Sequence, residues 1–271
     1  DNIIMRICDI LMCLPGFLIE QSLESIKPHL SPNTVVGSIV SSTGFFFCAH
    51  KILPSKTPLF GFQRTPFIAR VSEYGKSANL LGYKNEVAIA CENIDNAELF
   101  RAQIEKLFIT PTKLLDSFYE ASLTNSNPIL HTGRLYSMWQ DWDGTPYDHN
   151  ILFYKEWNND ASECIIAMDK EFMQLLSKLP INKANIPTLL DYYESTDAES
   201  LTRKISSITA FQTIKSPMKE VVGGWIPDFE SRYFTEDFPF GLKIIKELAE
   251  EHHIVTPMID KVYQWGMNVI K

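Results

Sequence analysis

Partway along this chain the spacing of apolar residues changes, and that change limits the fold more than any other feature. The run Asp9-Ile-Leu-Met-Cys-Leu-Pro15-Gly16 is short, apolar and closed by a Pro-Gly turn, which predicts a buried strand. Leu18, Ile19, Leu23, Ile26 and Leu30 then recur at helical spacing, with Pro28 near the end of that stretch. Thr34 to Val40 is a second strand-like run rich in β-branched residues, Gly44 to Leu53 a helix, and Pro58 to Phe62 a third strand. Strands alternating with crossovers predict a parallel α/β sheet. Phe67 to Val71, Ser77 to Gly82 and Glu86 to Cys91 follow as three closely spaced strand-like runs, expected as an antiparallel meander on the sheet's edge. Ala97 to Phe108 returns to helix. From Lys113 the pattern is helical almost throughout, over Lys113–Leu123, Pro128–Trp142, Ser162–Leu179, Thr188–Tyr193, Ser200–Gln212, Phe238–His252 and Pro257–Ile270. The expected organisation is an α/β region over residues 1–120 and an all-α domain over 121–271.

The 271 residues suffice for two cores, and 45% hydrophobic with 21% charged residues is an ordinary soluble composition. A formal net charge of −8 with scattered lysines argues against nucleic acid and against an anionic membrane surface as partners. No apolar run approaches the ~20 residues of a membrane helix, and the start lacks the pattern of a signal peptide. Cys8, Cys13, Cys48, Cys91 and Cys164 form no C-x-x-C pair, so free thiols in the cytoplasm are expected. The chain opens on Asp1-Asn2 without an initiator Met, and we expect further residues upstream.

Two segments could carry chemistry. In Asn127-Pro128-Ile-Leu-His131, Asn suits an N-cap and Pro the first helical position, which puts His131 near the first turn. His131, Leu135, Met138 and Trp142 then share one helix face, so the imidazole points inward. On spacing alone a core histidine bonded to a backbone carbonyl is the commoner occupant of such a position. In Arg232-Tyr-Phe-Thr-Glu-Asp237-Phe-Pro-Phe-Gly241-Leu242, Asp237 reads alone as an N-cap and Arg232 as a surface charge. Taken together the three residues suggest more. An inward imidazole needs a partner to fix its tautomer, and an arginine fork suits a substrate carboxylate. His252-His253 diverge on a helix and lack further ligands, and Asp141, Asp143 and Asp148 lack calcium-loop spacing, so no metal is expected.

With these residues in view, the chain resembles the opine dehydrogenase family, which includes the octopine and nopaline dehydrogenases. The resemblance rests on Leu14-Pro15-Gly16, Thr65-Pro-Phe-Ile-Ala-Arg70, Tyr74-Gly-Lys76, Asn127-Pro128-x-x-His131 and Arg232-Tyr-x-Thr-Glu-Asp237-x-Pro-x-Gly-Leu242. Thr65 and Phe67 stand where the family more commonly has Leu and Trp. The resemblance implies a Rossmann-type domain, present here without its N-terminal βαβ half and its G-x-G-x-x-G turn, and a C-terminal all-α domain similar to that of 6-phosphogluconate dehydrogenase. It implies NAD or NADP as cofactor, with Leu14, Pro15 and Gly16 at the cofactor, and small-molecule substrates, an amino acid and a 2-oxo acid. His131 and Asp237 would be catalytic, and Arg232 would bind the 2-oxo acid. A homodimer is compatible with this reading. Two rivals remain: a two-domain dehydrogenase of the glycerol-3-phosphate or 2-hydroxy acid type, which would want several basic residues such as Arg70, Arg134 and Arg232 near the substrate, and a non-catalytic, self-associating relative.

Overall fold

A computed structural model describes residues 9–270. Cys8, one of the expected free thiols, and the first residues of the chain lie outside them. Three short apolar runs form parallel strands: β1 (Asp9–Met12), β2 (Val35–Ser38) and β3 (Leu59–Phe62), with Asp9 beside Val35 and Val36 beside Leu59. The connections are α1 (Gly16–Ile26) and α2 (Phe45–Ile52). Ile19 and Leu23 of α1 and Phe45, Phe46 and Ala49 of α2 pack with Met12 and Val36 into one core. This is the strand–crossover alternation expected from the spacing.

The expected three-strand meander is corrected by the pairing. Only β4 (Phe67–Glu73) and β5 (Ser77–Tyr83) pair with each other, as a separate two-stranded sheet. The third run, β6 (Val87–Glu92), joins the main sheet antiparallel to β3. Val87, Ala88, Ile89 and Ala90 are apolar on both faces and therefore suit a sheet interior, whereas the hairpin is almost wholly exposed. After α3 (Ala97–Phe108), Thr112 and the first two residues of an expected helix, Lys113 and Leu114, instead add β7 (Thr112–Leu114) parallel to β6, giving the order β1-β2-β3-β6-β7. Thr112 is drawn there by Glu105 and Arg101 of α3: its N–H donates to the carboxylate at 2.9 Å, and its carbonyl accepts from the guanidinium at 2.9 Å. A short helix, α4 (Phe118–Ser122), follows, capped by Ser117.

The chain divides into two compact units. One runs to Leu123 and includes Pro180–Asn185; the other comprises residues 124–179 and 186–271. The returning segment is tied into the first unit by the buried Glu120 carboxylate. It accepts from the Asn182 backbone at 2.5 Å and from the Asn185 side chain at 2.7 Å.

The second unit is built on helices: α5 (Thr132–Trp139), α6 (Asn159–Leu176), α7 (Leu189–Tyr192), α8 (Ala198–Ser207), α9 (Arg232–Thr235), α10 (Lys243–Glu251) and α11 (Pro257–Val269). Helices α5 and α6 approach closely at Gly133, where an added Cβ would stand 2.6 Å from Ile165. One element in this helical region was not expected, a hairpin of β8 (Met218–Val221) and β9 (Gly224–Pro227). Its turn uses Gly223 and Gly224 at φ of +97° and +137°, which a side chain would resist. Helix α5 also stops at Trp139, short of the expected Trp142. Trp139 is buried in place of Trp142, which lies beyond the helix.

Candidate active site

Two wide π-helical turns present the site. The first spans Ser126–His131, with the Leu130 N–H reaching back five residues to the Asn125 carbonyl at 3.3 Å. The residue at its N-terminal boundary is Asn125, and not Asn127 as the sequence pattern suggested. Asn125 is fixed by the buried Asp169: its amide donates to one carboxylate oxygen at 2.8 Å and to the Pro187 carbonyl at 2.9 Å. The other Asp169 oxygen accepts from the Leu189 N–H at 2.8 Å. Burial pushes the Asp169 carboxyl above the ordinary aspartate value, although both hydrogen bonds oppose the shift.

The second turn spans Phe238–Leu242, closed by the Leu242 N–H on the Asp237 carbonyl at 2.8 Å. Asp237 occupies the capping position, yet its side chain makes no cap bond. It is committed elsewhere. The two turns meet where Gly241 faces Pro128, so closely that a Cβ on residue 241 would lie 3.0 Å from the proline ring. Across this contact His131 Nδ1 and Asp237 Oδ2 stand 2.8 Å apart, each side chain 14% exposed. The structure thus brings together the histidine and the aspartate singled out in the sequence, and the partner of the imidazole is a carboxylate and not a backbone carbonyl.

The other ring nitrogen is occupied as well. His131 Nε2 lies 3.0 Å from the Tyr154 hydroxyl. Tyr233 tilts over the imidazole at 4.8 Å between centroids, and Phe153 meets it edge-on at 5.6 Å. Tyr154 is itself buried among Phe153, Trp157 and Phe211, and burial foremost, then nearby tyrosines and Asp237, pushes its phenol up. Sequence reasoning missed Tyr154, because the segment around it follows neither helical nor strand spacing.

Arg134 explains how that segment is held. Its guanidinium is buried and donates to the carbonyls of Phe153 at 3.2 Å and Glu156 at 2.7 Å and to the Asn158 side chain at 3.2 Å. It also lies 5.3 Å above the Trp157 ring. Desolvation brings its pKa down to about 10, against the pull of Glu156. Arg134 is therefore spent on the fold, which removes it from the basic cluster a phosphate substrate would want. Arg70 sits exposed on β4 in the first unit, bonded to the Ala69 carbonyl. Arg232, by contrast, is the exposed first residue of α9, and among the described residues its side chain makes no hydrogen bond or ion pair.

Leu14, Pro15 and Gly16 lie in the first unit where β1 gives way to α1. Pro15 is extended, the first turn of α1 carries no acidic residue, and no side chain caps it. The carboxyl end of a parallel strand followed by a helix N-terminus is a place that favours an anionic group. Among the described residues no glycine-rich turn of the pyrophosphate-binding kind is present. No cluster of His, Cys, Asp or Glu suited to a metal ion occurs among them either.

Comparison with known proteins assigns the family. The tauropine dehydrogenase of Arabella iricolor is 28% identical over 284 residues, which cover 96% of this chain and 70% of that protein. The opine dehydrogenase of Haliotis discus hannai is 27% identical, covering 94% and 68%. A solved octopine dehydrogenase with NADH and L-arginine superposes with a TM-score of 0.84 at 24% identity, covering 97% of this chain and 69% of that one. A D-mandelate dehydrogenase shares the fold more distantly, at a TM-score of 0.60 and 13% identity. Residues 114–270, more than half of the chain, match the family described as NAD/NADP octopine/nopaline dehydrogenase, alpha-helical domain. The chain belongs to the octopine/nopaline dehydrogenase family of NAD- or NADP-dependent oxidoreductases.

Proposed function

We propose that this protein is an opine dehydrogenase, which condenses the amino group of an amino acid with a 2-oxo acid such as pyruvate and reduces the product to a secondary amine. The observation that carries the reading is the His131–Asp237 pair at 2.8 Å, built by two facing turns within the region that matches the family. An exposed arginine stands five residues before the aspartate.

Arg232 takes the carboxylate of the 2-oxo acid, since a planar fork binds such a group in two places and fixes the adjacent carbonyl. His131 acts as general acid, giving a proton to the carbonyl oxygen, which leaves as water once the amine nitrogen has bonded to the carbon. Asp237 accepts the Nδ1 hydrogen, holds the ring in one tautomer and steadies the positive charge of the imidazolium. Reduced nicotinamide, when bound, supplies the hydride that goes to the former carbonyl carbon. Leu14, Pro15 and Gly16 are the residues of this chain that we assign to holding it. Tyr233 and Phe153 cover the imidazole and limit water around the proton being transferred.

We also place the protein in the cytoplasm. Cys13, Cys48, Cys91 and Cys164 are all free thiols, and no helix among the described residues is long and apolar enough to cross a membrane. The test is a screen of amino acids against pyruvate and other 2-oxo acids with the natural full-length protein, following oxidation of NADH and NADPH. Oxidation that requires both substrates supports the reading. Oxidation with a 2-oxo acid alone would point instead to a 2-hydroxy acid dehydrogenase.

A further inference from the structure

An imidazole exchanges protons only through its two ring nitrogens, and in this protein both are engaged. Nδ1 faces the Asp237 carboxylate at 2.8 Å, which holds that hydrogen in place. Nε2 faces the Tyr154 hydroxyl at 3.0 Å. Any proton that His131 gives to a substrate must therefore leave on the Tyr154 side, and the tyrosine has little freedom to step out of the way. Its ring stacks on Trp157 at 6.2 Å and 9°, and lies 4.6 Å from Phe211 and 4.9 Å from Phe153. Its backbone belongs to the segment that Arg134 binds through the carbonyls of Phe153 and Glu156.

We propose that Tyr154 is a catalytic residue, the hydroxyl through which the proton of His131 reaches the reacting oxygen. This rests on the opine dehydrogenase reading given above. The transfer is concerted and balanced. The Nε2–H bond breaks as a new O–H bond forms on Tyr154, and the original Tyr154 O–H bond breaks as its proton passes to the carbonyl oxygen of the substrate. The imidazolium ends neutral, the phenol is regenerated, and no tyrosinate forms. That last feature agrees with a buried phenol, which resists carrying charge. In opine oxidation the same two bonds run in reverse.

Tyr154→Phe keeps the ring and its packing and removes only the relay. In the full-length enzyme it should lower kcat by about 10²-fold, within the range of general acid catalysis, while each KM stays within about 2-fold of wild type. The rate measured in mixtures of light and heavy water should change from a two-proton curve to a one-proton line. Histidine-selective 15N NMR should show the Nε2 signal of His131 moving while Nδ1 stays, and near-UV circular dichroism should match wild type. A Tyr154→Phe enzyme with kcat and isotope response unchanged, alongside an inactive His131→Asn, would overturn the relay and leave the His131 role intact. If His131→Asn is also fully active, the reading of the site itself fails. Should Tyr154→Phe not fold, 3-fluorotyrosine at residue 154 preserves both shape and hydroxyl while making the phenol more acidic. A relay must then respond in kcat and isotope curve, and an unchanged response overturns it.

Discussion

Arg134→Lys separates a residue that builds the site from one that binds substrate. The guanidinium makes three hydrogen bonds in a buried setting, two of them to the carbonyls of Phe153 and Glu156. A lysine ammonium retains the charge but is a single point on a flexible stem, and it cannot span acceptors that the planar fork reaches from three different nitrogens. At least one carbonyl would lose its partner while staying buried, and the stacking over Trp157 would weaken. Leaving one buried polar group unpaired costs about 1–3 kcal/mol, and a lost hydrogen bond to a charged group is worth about 1.5–3 kcal/mol. Because the two overlap, the expected destabilisation is about 2–4 kcal/mol. For a chain of this size that lowers the melting temperature by very roughly 5–15 °C. Arg134 is almost fully buried, so solvent screening does not reduce the figure.

Urea denaturation of the purified variant, followed by tryptophan fluorescence, measures this directly, because Trp157 lies under the guanidinium. Activity at a temperature where the variant is still folded should fall in kcat, since the segment carrying Tyr154 is no longer pinned, with little change in KM for the 2-oxo acid. A variant within about 0.5 kcal/mol of wild type, the usual range for a surface substitution, whose only defect is a raised KM, would refute the structural role. It would return Arg134 to the list of substrate-binding residues.

Three further outcomes are expected. His131→Asn should fold normally and lose about 10²-fold or more in kcat, because the amide N–H is far too weak an acid to transfer its proton; circular dichroism and steady-state kinetics check this. Arg232→Lys should raise KM for the 2-oxo acid well beyond KM for the amino acid, and equal changes in both would count against the carboxylate clamp. Asp169 has its pKa raised by burial, so the folded state holds its proton more tightly than the unfolded chain does. Its contribution to stability is therefore full below the unfolded value of about 3.9 and is lost as pH rises through the raised folded value. Asp169→Asn cannot titrate, so wild-type stability minus that of the variant should decline across that window. A difference that rises instead would reverse the assigned sign.

The residues most legible in the sequence were those tied to a helix start. Asn127-Pro128 and Phe238-Pro239 marked two helix entrances, and His131 and Asp237 stood out beside them because an inward imidazole and a carboxylate have complementary needs. Their closeness in space was not legible, since 106 positions separate them and only the packing of the two turns brings them together. The parallel strands β1 to β3 were legible because each is a short apolar run closed by turn residues. The order of the sheet beyond β3 was not, since a β-branched run does not say which neighbour it will pair with, and β6 passed over the nearer hairpin to join β3. Tyr154 and the Arg134 network escaped for a further reason: the segment from Thr145 to Asn158 is mostly irregular, and side-chain donors to its carbonyls leave no periodic trace.

The two π turns join these observations. In an ordinary α-helix an aspartate just before a Phe-Pro start would cap its own helix, and the sequence pattern of Asp237 suits that duty. Here the Leu242 N–H reaches five residues back to the Asp237 carbonyl, the side chain makes no cap bond, and the carboxylate is free to turn across the interface. The same widening ends at His131 on the facing turn, so each member of the pair sits at the edge of a locally unwound helix. Such turns are less stable than regular helix and persist where the surroundings over-determine them. The surroundings are on hand: Asp169 and the Pro187 carbonyl hold Asn125 at the head of the first turn, and Gly241 admits Pro128 at the contact between the two. The pair is therefore a product of its supports as much as of its own chemistry. The capping bond that Asp237 gives up is the local cost of placing a carboxylate against the imidazole.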